Sequence, residues 1–226
     1  MIIRIAFAAL IAFAAVAQCT AAVTIDFETV PGVTAVGFSA GTGVPPSGQL
    51  SSQLLSDGVV FGSTTAQYVA LVDLGSGHAT SGVQGIGGVT PTGGGNAVLD
   101  YSPIFVTFFL PNTATTAATD SVSIKIDQIP IAGNVFLKAF DINGNLVGSD
   151  SELDTDQRAL TVAAAGIHSI EFYSESQTVA FDDLTFGDPL VEVHADAAAA
   201  PEAGSIFIWS TLGIFGVWFG RKAKRC

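Results

Sequence analysis

Short runs of β-branched and aromatic residues, separated by Gly, Pro, Asn and Asp, make up most of the chain between its two ends. Residues 121–127 alternate polar and apolar side chains without a break, as a strand with one solvent-facing side does. Phe136, Leu137 and Phe140 put apolar side chains on both faces of another run, which predicts a strand buried on both sides. This run is predicted to be a strand at residues 134–141. The other predicted strands are residues 23–27, 59–61, 68–72, 104–110, 167–173 and 179–186.

Glycine-rich segments separate the predicted strands. Residues 41–48 contain two consecutive prolines and residues 75–95 contain nine glycines, so both segments are predicted to be long loops. Asn143-Gly144 predicts a tight hairpin turn, because such a turn needs positive φ. About eight or nine strands joined in this way predict an all-β fold, a single antiparallel jelly-roll β-sandwich. A glycine-rich β-helix is the alternative, although no fixed short repeat is present.

The start of the chain has a different pattern. Arg4 precedes an apolar run at residues 5–17, and small residues follow. This order predicts a secretory signal peptide over residues 1–22, with cleavage after Ala17 or after Ala22. The protein is therefore expected to be exported, to the cell envelope, the cell surface or the medium.

The end of the chain is apolar and then basic. Residues 206–219 would form a single hydrophobic helix of about 21 Å, which is short for a hydrocarbon core of about 30 Å. This helix is expected to associate with a membrane transiently, with the basic residues after it on the cytoplasmic side. The residues that give the tail its pattern are Pro201, Glu202, Ser205, Trp209, Arg221, Lys222, Lys224 and Arg225.

This tail resembles the PEP-CTERM sorting signal of exported bacterial proteins, with Ala203 in place of the second proline of the usual Pro-Glu-Pro. The resemblance implies that residues 201–226 are recognised by an exosortase, a membrane protease that cuts near the motif. Residues 188–200 are rich in Ala and in acidic residues, and are predicted to be a flexible linker after a sandwich domain at residues 23–187. A plain C-terminal membrane anchor is the alternative interpretation of the tail.

The body of the chain is strongly acidic. The formal net charge is −12, and all 20 Asp and Glu residues lie between Asp26 and Glu202. Lys125, Lys138 and Arg158 are the only basic residues in that interval. Such a surface disfavours nucleic acid and anionic lipid as partners, and is compatible with Ca²⁺ or with a neutral polysaccharide.

Short segments of the body carry a second resemblance. They are Ile25-Asp26-Phe27-Glu28, Ser52-Gln53 with residues 57–62, and residues 180–187. Their arrangement is similar to the carbohydrate-binding-module-like, or galactose-binding-like, sandwiches of other PEP-CTERM proteins. The resemblance implies carbohydrate binding as an alternative function, by analogy of fold. The aromatic residues considered for stacking on a sugar, or for half-burial in a sheet instead, are Tyr68, Tyr101 and Tyr173.

Four acidic residues lie in the terminal strands of the predicted sandwich. Asp26 and Glu28 belong to the first strand, and Asp182 and Asp183 to the last. The terminal strands of a jelly roll commonly lie side by side, so these carboxylates are expected to meet and could bind a structural Ca²⁺ ion. Alternation also puts Asp182 on the same face as Leu184. The alternative is that the four acids face water or accept hydrogen bonds from the backbone.

Two further motifs are interpreted as structural. Asp141, Asn143, Asn145 and Glu152 match ligand positions of an EF-hand loop, but the glycine that the loop requires is misplaced, so a hairpin turn is predicted instead. Residues 37–41 match the G-x-S-x-G nucleophile motif, but the Gly- and Pro-rich sequence after them cannot start the helix that the motif needs. The acids predicted to alternate along a solvent-facing edge are Asp150, Glu152, Asp154 and Asp156.

The sequence therefore predicts an exported, non-enzymatic protein of the cell surface or extracellular matrix. Its three histidines are widely spaced, and its two cysteines lie in or beside the targeting segments, so no catalytic residue is predicted. The expected partners are an exosortase and a polysaccharide or an envelope protein. The alternative is a carbohydrate-binding module of the envelope or of an exopolysaccharide.

Overall fold

The computed structural model describes residues 21–126, 133–153, 158–187 and 190–195. These residues form seventeen strands, numbered in chain order, and two short 3₁₀ helices at Pro46–Gly48 and Leu55–Asp57. The strands are β1 (Ala22–Ile25), β2 (Val36–Gly37), β3 (Gly43–Val44), β4 (Gln49–Leu50), β5 (Val59–Ser63), β6 (Val69–Asp73), β7 (Gln84–Gly87), β8 (Val89–Gly93), β9 (Asn96–Leu99), β10 (Ile104–Phe108), β11 (Ala117–Ile126), β12 (Val135–Phe140), β13 (Leu146–Glu152), β14 (Ala159–Ile167), β15 (Ser169–Ser174), β16 (Ala180–Gly187) and β17 (Val191–Glu192). The fold is therefore all-β, as predicted.

The predicted targeting segments lie almost wholly outside the described residues. The exceptions are residues 21 and 22, at the end of the predicted signal peptide. The predicted C-terminal helix and every residue of the sorting motif fall beyond residue 195. Over the ranges that the structure describes, no helix is long and apolar enough to cross a membrane.

Two large sheets and one small sheet hold the strands. The nine-stranded sheet has the order β14-β11-β16-β7-β6-β2, with β1 beside β16, β17 beside β11 and β4 beside β6. The five-stranded sheet has the order β13-β12-β15-β10-β5, and the small sheet has the order β3-β9-β8. Neighbours are antiparallel, except that β2 and β6 form a short parallel pair. The expected pairing of the first strand with the predicted last strand is confirmed, because Ile25 of β1 lies opposite Leu184 of β16.

The main core lies between the two large sheets. Phe172 of the five-stranded sheet meets Phe181 of the nine-stranded sheet edge to face, with ring centroids 4.7 Å apart. Phe108 and Phe186 make a second ring contact across the same interior, at 5.3 Å. Alternate residues of β10, β12 and β15 point into this core, as the period of two requires. The two packed sheets therefore form a β-sandwich.

A second, smaller core lies on the other side of the nine-stranded sheet. There Ala70 and Val72 of β6 and Ala180 of β16 pack against Val89 and Leu99 of the small sheet. The strands buried on both faces are thus β6 and β16. The prediction that β12 is buried on both faces is wrong, because Phe136 and Phe140 on its outer face are only half-buried. The small sheet covers the nine-stranded sheet and leaves the outer face of the five-stranded sheet open.

The predicted loop at residues 75–95 is wrong in part, because β7 and β8 both lie within it. Four of its nine glycines, at positions 82, 85, 87 and 88, allow close packing rather than flexibility. A Cβ on Gly85 would lie 2.7 Å from the carbonyl oxygen of Phe181, and a Cβ on Gly88 would lie 1.9 Å from that of Ser102. The predicted loop at 41–48 likewise contains β3 and the first 3₁₀ helix.

The strands β13 and β14 close one side of the sandwich. Asp150 and Glu152 lie on β13, the edge strand of the five-stranded sheet, but both are half-buried rather than fully solvent-facing. Asp154 and Asp156 lie outside the described residues. The Asp150 carboxylate accepts a hydrogen bond of 2.8 Å from the Thr161 N–H of β14, so the acidic edge also joins the two sheets.

Candidate functional site

An irregularity in β16 brings two carboxylates to the same place. Ser123 of β11 pairs with Thr185 of β16, and Lys125 pairs with Asp182. An advance of two residues along β11 is therefore matched by three residues along β16. The extra residue is a β-bulge, and Asp183 takes a φ of 49° there. The bulge shifts the alternation of β16 by one residue.

The shift overturns one sequence prediction, that Asp182 and Leu184 share a face. Leu184 packs in the main core together with Phe181, an odd-numbered neighbour before the bulge. Ala180 packs in the second core instead. Strict alternation would have placed Ala180 and Leu184 on one face, so the period of two fails at the bulge.

Asp182 is fully buried and accepts hydrogen bonds from the loop at residues 74–83, which joins β6 to β7. Its Oδ2 atom accepts bonds of 2.9 Å from the N–H groups of Thr80 and Ser81 and from the Thr80 hydroxyl. Its Oδ1 atom accepts a bond of 2.7 Å from the Asp183 N–H. Burial raises the pKa of Asp182, although these donors oppose the shift.

Asp183 contacts the same two loop residues and a cation. Its carboxylate accepts hydrogen bonds from the Ser81 hydroxyl at 2.7 Å and from Thr80 Oγ1 at 2.9 Å. Lys125 Nζ lies 2.8 Å from Asp183 Oδ2. Burial alone would raise the pKa of Asp183, but the hydrogen bonds from Lys125, Ser81 and Thr80 outweigh it and hold the pKa below its ordinary value.

The other two acids, Asp26 and Glu28, lie just after β1 rather than in it, and Glu28 contacts the end of the same loop. Asp26 Oδ1 accepts a bond of 3.1 Å from the Glu28 N–H, which fixes the local turn. Glu28 Oε1 accepts bonds of 2.7 and 2.6 Å from the N–H groups of Val83 and Gln84. Glu28, Asp182 and Asp183 therefore hold the 74–83 loop against the strand pair of β1 and β16.

All four acids predicted to bind Ca²⁺ accept hydrogen bonds from protein groups. The four predicted ligands lie at one end of the β1–β16 pair, and three of them bind the 74–83 loop. In the described part of the chain, no group of three or more His, Cys, Asp or Glu side chains is arranged to hold a metal. The partners of these acids, the backbone and hydroxyl groups of residues 80–84, lie in a glycine-rich segment that gives no pattern from which they could be predicted.

The EF-hand-like segment is a hairpin turn, as predicted. Asp141 Oδ1 accepts hydrogen bonds of 2.9 and 2.8 Å from the N–H groups of Asn143 and Asn145. The Asn145 side chain also donates to Asp141, and this bond lowers the pKa of the Asp141 carboxyl. Gly144 has a φ of 79°, and Glu152 lies away from the turn on β13. The G-x-S-x-G segment likewise leads from β2 to β3, with no helix between them.

The three tyrosines do not form one platform. Tyr68 packs against the second core, and Tyr101 lies in a loop with 61% of its surface exposed. Tyr173 lies on the outer face of the five-stranded sheet, where its ring stacks on Phe136 with centroids 5.2 Å apart and planes at 22°. Sequence reasoning missed Phe136 as an outer-face residue, because it assumed that β12 was covered on both sides.

The outer face of the five-stranded sheet also carries an ion pair and a groove. Lys138 lies 3.5 Å from Glu171 and 4.8 Å from the centroid of the Tyr173 ring. The hydrogen bond that Lys138 donates to Tyr173 and the charge of Glu171 raise the pKa of Lys138. Beyond β10, a groove of about 430 Å³ lies beside the edge strand β5. It is lined by Ser51, Ser52, Val60, Phe61, Gly62, Ser63, Ala66, Gln67, Phe105 and Thr107.

The fold defines this protein as an all-β protein with a β-sandwich. No protein-family profile and no curated protein matches the chain. One similar solved structure is an arabinose-bound GH51 α-L-arabinofuranosidase, at 11% identity and a TM-score of 0.34, with 66% of this chain and 24% of that chain covered. Another is the enzymatically active domain of bacteriophage CBA120 tailspike protein 4, at 10% identity and a TM-score of 0.25, with 65% of this chain and 21% of that chain covered. This chain spans about a quarter or less of the length of either protein, and at such identity and TM-score neither likeness bears on function.

Proposed function

We propose that this chain is an exported, non-enzymatic protein of the cell surface or extracellular matrix, released from a membrane intermediate by an exosortase that recognises residues 201–226. The proposal rests on the sequence of the two ends, an apolar leader and a tail with the order motif, apolar segment and basic end. The acidic body between them suits a soluble extracellular domain. We also assign the sandwich to the jelly-roll type, with β1 and β16 side by side.

The position of the first and last described strands, β1 and β17, is the structural observation that supports this proposal. The chain enters the fold through β1 and leaves it through β17, and both strands belong to the nine-stranded sheet. Neither of these two strands belongs to the five-stranded sheet. Ala22 already pairs with Gly187, so cleavage of the leader after Ala17 would leave β1 whole.

Mass spectrometry of the protein from a host with an exosortase tests the proposal. The wild-type protein should lack the leader and the basic end, whereas the double variant Pro201→Ala, Glu202→Ala should keep residues 206–226 and stay in the membrane fraction. The variant Asp196→Ala, outside the motif, should be processed like the wild type. Intact residues 221–226 on the wild-type product would support a plain anchor instead and contradict the proposal.

Carbohydrate binding is the second candidate function, and the stacked pair of Phe136 and Tyr173 favours it. Two half-buried rings on an open sheet face offer apolar surface on which a sugar ring could pack. A structural Ca²⁺ ion at Asp26, Glu28, Asp182 and Asp183 also stays a proposal. Calorimetric titration with Ca²⁺ tests it: heat and a raised Tm would support the ion, and the absence of both would contradict it.

A further inference from the structure

Three aromatic side chains, Phe136, Tyr173 and Phe105, form a diagonal row on the outer face of the five-stranded sheet. Phe136 lies opposite Tyr173 in the register of β12 and β15, and their rings stack. Phe105 of β10 lies opposite Glu171, two residues from Tyr173, so Phe105 and Tyr173 are diagonal neighbours on the same face. The row crosses three strands and ends at Gly62 of β5, opposite Phe105. With strands about 4.8 Å apart, its length from β12 to β5 is about 14 Å.

The row continues into the groove beside β5. Phe105 forms part of both, so the row and the groove adjoin each other. At the groove, hydrogen-bonding groups of Ser51, Ser52 and Gln67 replace the rings. Gly62 contributes no side chain there, which keeps the groove open. A site of aromatic surface with a few polar groups is the usual composition of a small-molecule binding site.

The charges of this surface favour a neutral ligand. Every residue that lines the groove is uncharged. Lys138, the cation beside the row, is already paired with Glu171 at 3.5 Å. The protein as a whole has a formal net charge of −12, which repels anionic chains.

The backbone of β5 disfavours a peptide as the ligand. On its outer edge, the N–H of Val59 donates to Leu54 O, that of Phe61 to Ser51 O and that of Ser63 to Ala66 O. A peptide strand needs unpaired N–H groups at a sheet edge. Since these three are satisfied within the protein, recognition at this edge falls to side chains.

We propose that this surface, the aromatic row of Phe136, Tyr173 and Phe105 together with the groove at Gln67, binds a neutral oligosaccharide. The apolar faces of the sugar rings pack on the aromatic row, and the hydroxyl groups exchange hydrogen bonds with Gln67 and the two serines at positions 51 and 52. The proposal rests on the second candidate function and assigns its site and its ligand class. It needs no catalytic step.

Binding of defined glycans to the full-length protein tests the proposal. The protein is purified in a zwitterionic detergent without a sugar headgroup and titrated with a panel of neutral oligosaccharides of glucose, galactose, mannose, xylose and arabinose, and with oligogalacturonate as the anionic probe. At least one neutral oligosaccharide should bind, and oligogalacturonate should not. Tyr173→Ala and Phe105→Ala should each weaken that binding about tenfold or more.

Two variants separate a lost contact from a lost fold. Gln67 is exposed, so Gln67→Ala should keep the wild-type Tm and still weaken binding. Tyr101→Ala is the matched control: it removes an exposed aromatic residue that is not part of the row, and should bind like the wild type. The absence of binding to every neutral probe, binding of the anionic probe alone, equal binding by Tyr173→Ala and Tyr101→Ala, or dimerisation through the row would each overturn the proposal. None of these outcomes bears on export or processing, which are measured in cells.

Discussion

Gly82 meets two requirements at the point where the 74–83 loop contacts the first strand. Its φ is 55°, a conformation that residues with a Cβ rarely adopt. A Cβ there would also lie 2.0 Å from Cδ of Glu28, whose carboxylate holds Val83 and Gln84. A larger residue would therefore have to displace Glu28 and break the two hydrogen bonds that it accepts.

Gly82→Ala should accordingly destabilise the protein more than the same change at Gly77. Gly77 also has positive φ, at 89°, but a Cβ there meets nothing within 4 Å. The backbone cost of about 1–2 kcal/mol applies to both variants, and the loss of the Glu28 bonds adds about 1–3 kcal/mol only at Gly82. Thermal or urea unfolding of the full-length protein measures the difference. Equal destabilisation would show that the Glu28 contact contributes nothing.

The acids of the site could be predicted from the sequence, but their partners could not. Asp26, Glu28, Asp182 and Asp183 were predicted to lie together because they belong to strands expected to pair, and those strands do pair. Their partners in residues 80–84 lie in a segment whose glycines resemble those of a flexible loop. Glycines that allow close packing and glycines that allow flexibility look alike in a sequence, since only the surrounding atoms distinguish them.

At the scale of the element, the bulge of β16 places Asp182 and Asp183 in different surroundings, which shift their pKa values in opposite directions. Asp182 is fully buried, while Asp183 takes positive φ and reaches Lys125. No pattern in Ala180–Gly187 indicates where the alternation fails, since a bulge depends on the register of the partner strand. Eight of the seventeen strands were predicted, because β-branched and aromatic runs mark them, whereas long strands such as β13 and β14 were missed. The sequence did not predict which strand faces are covered. That depends on the small sheet, most of which lies in segments predicted to be loops.

Asp182→Asn and Asp183→Asn should show opposite pH dependence. The pKa of Asp182 is raised by burial, so the folded state holds its proton more tightly and wild-type stability falls as pH rises above the ordinary value of 3.8 through the raised value. The pKa of Asp183 is lowered by its hydrogen bonds in spite of burial, so its stabilisation is present above 3.8 and is lost as pH falls through the lowered value.

The measurement is Tm for the wild type and both variants between about pH 3 and pH 8. The Tm advantage of the wild type over Asp182→Asn should shrink as pH rises, and its advantage over Asp183→Asn should grow. Asn tolerates positive φ, so Asp183→Asn keeps the backbone of the bulge and removes only the charge. Advantages that change in the same direction for both variants would contradict the assignment of opposite shifts.

At the scale of the whole molecule, the fold continues past the predicted end of the sandwich at residue 187. Val191 and Glu192 form β17 beside β11, and Thr116 Oγ1 donates a hydrogen bond of 2.6 Å to Val193 O. Seven residues lie between Val193 and Pro201, so eight Cα–Cα steps join the two. Even fully extended, they span at most about 29 Å. An exosortase that acts at the predicted motif would therefore work close to the surface of the sandwich.

Leu190 attaches this last segment to the core and provides a test of where the fold ends. Only 7% of its surface is exposed, and it packs so closely on Gly58 that a Cβ there would lie 2.4 Å from Leu190 Cδ1. Leu190→Ala in the full-length protein should cost about 2–3 kcal/mol and lower Tm by about 5–10 °C. Val191 is 62% exposed, so Val191→Ala is the matched control and should change stability by less than about 0.5 kcal/mol. If Leu190→Ala were as mild as Val191→Ala, the segment after residue 187 would act as a linker and the sandwich would end where the sequence predicted.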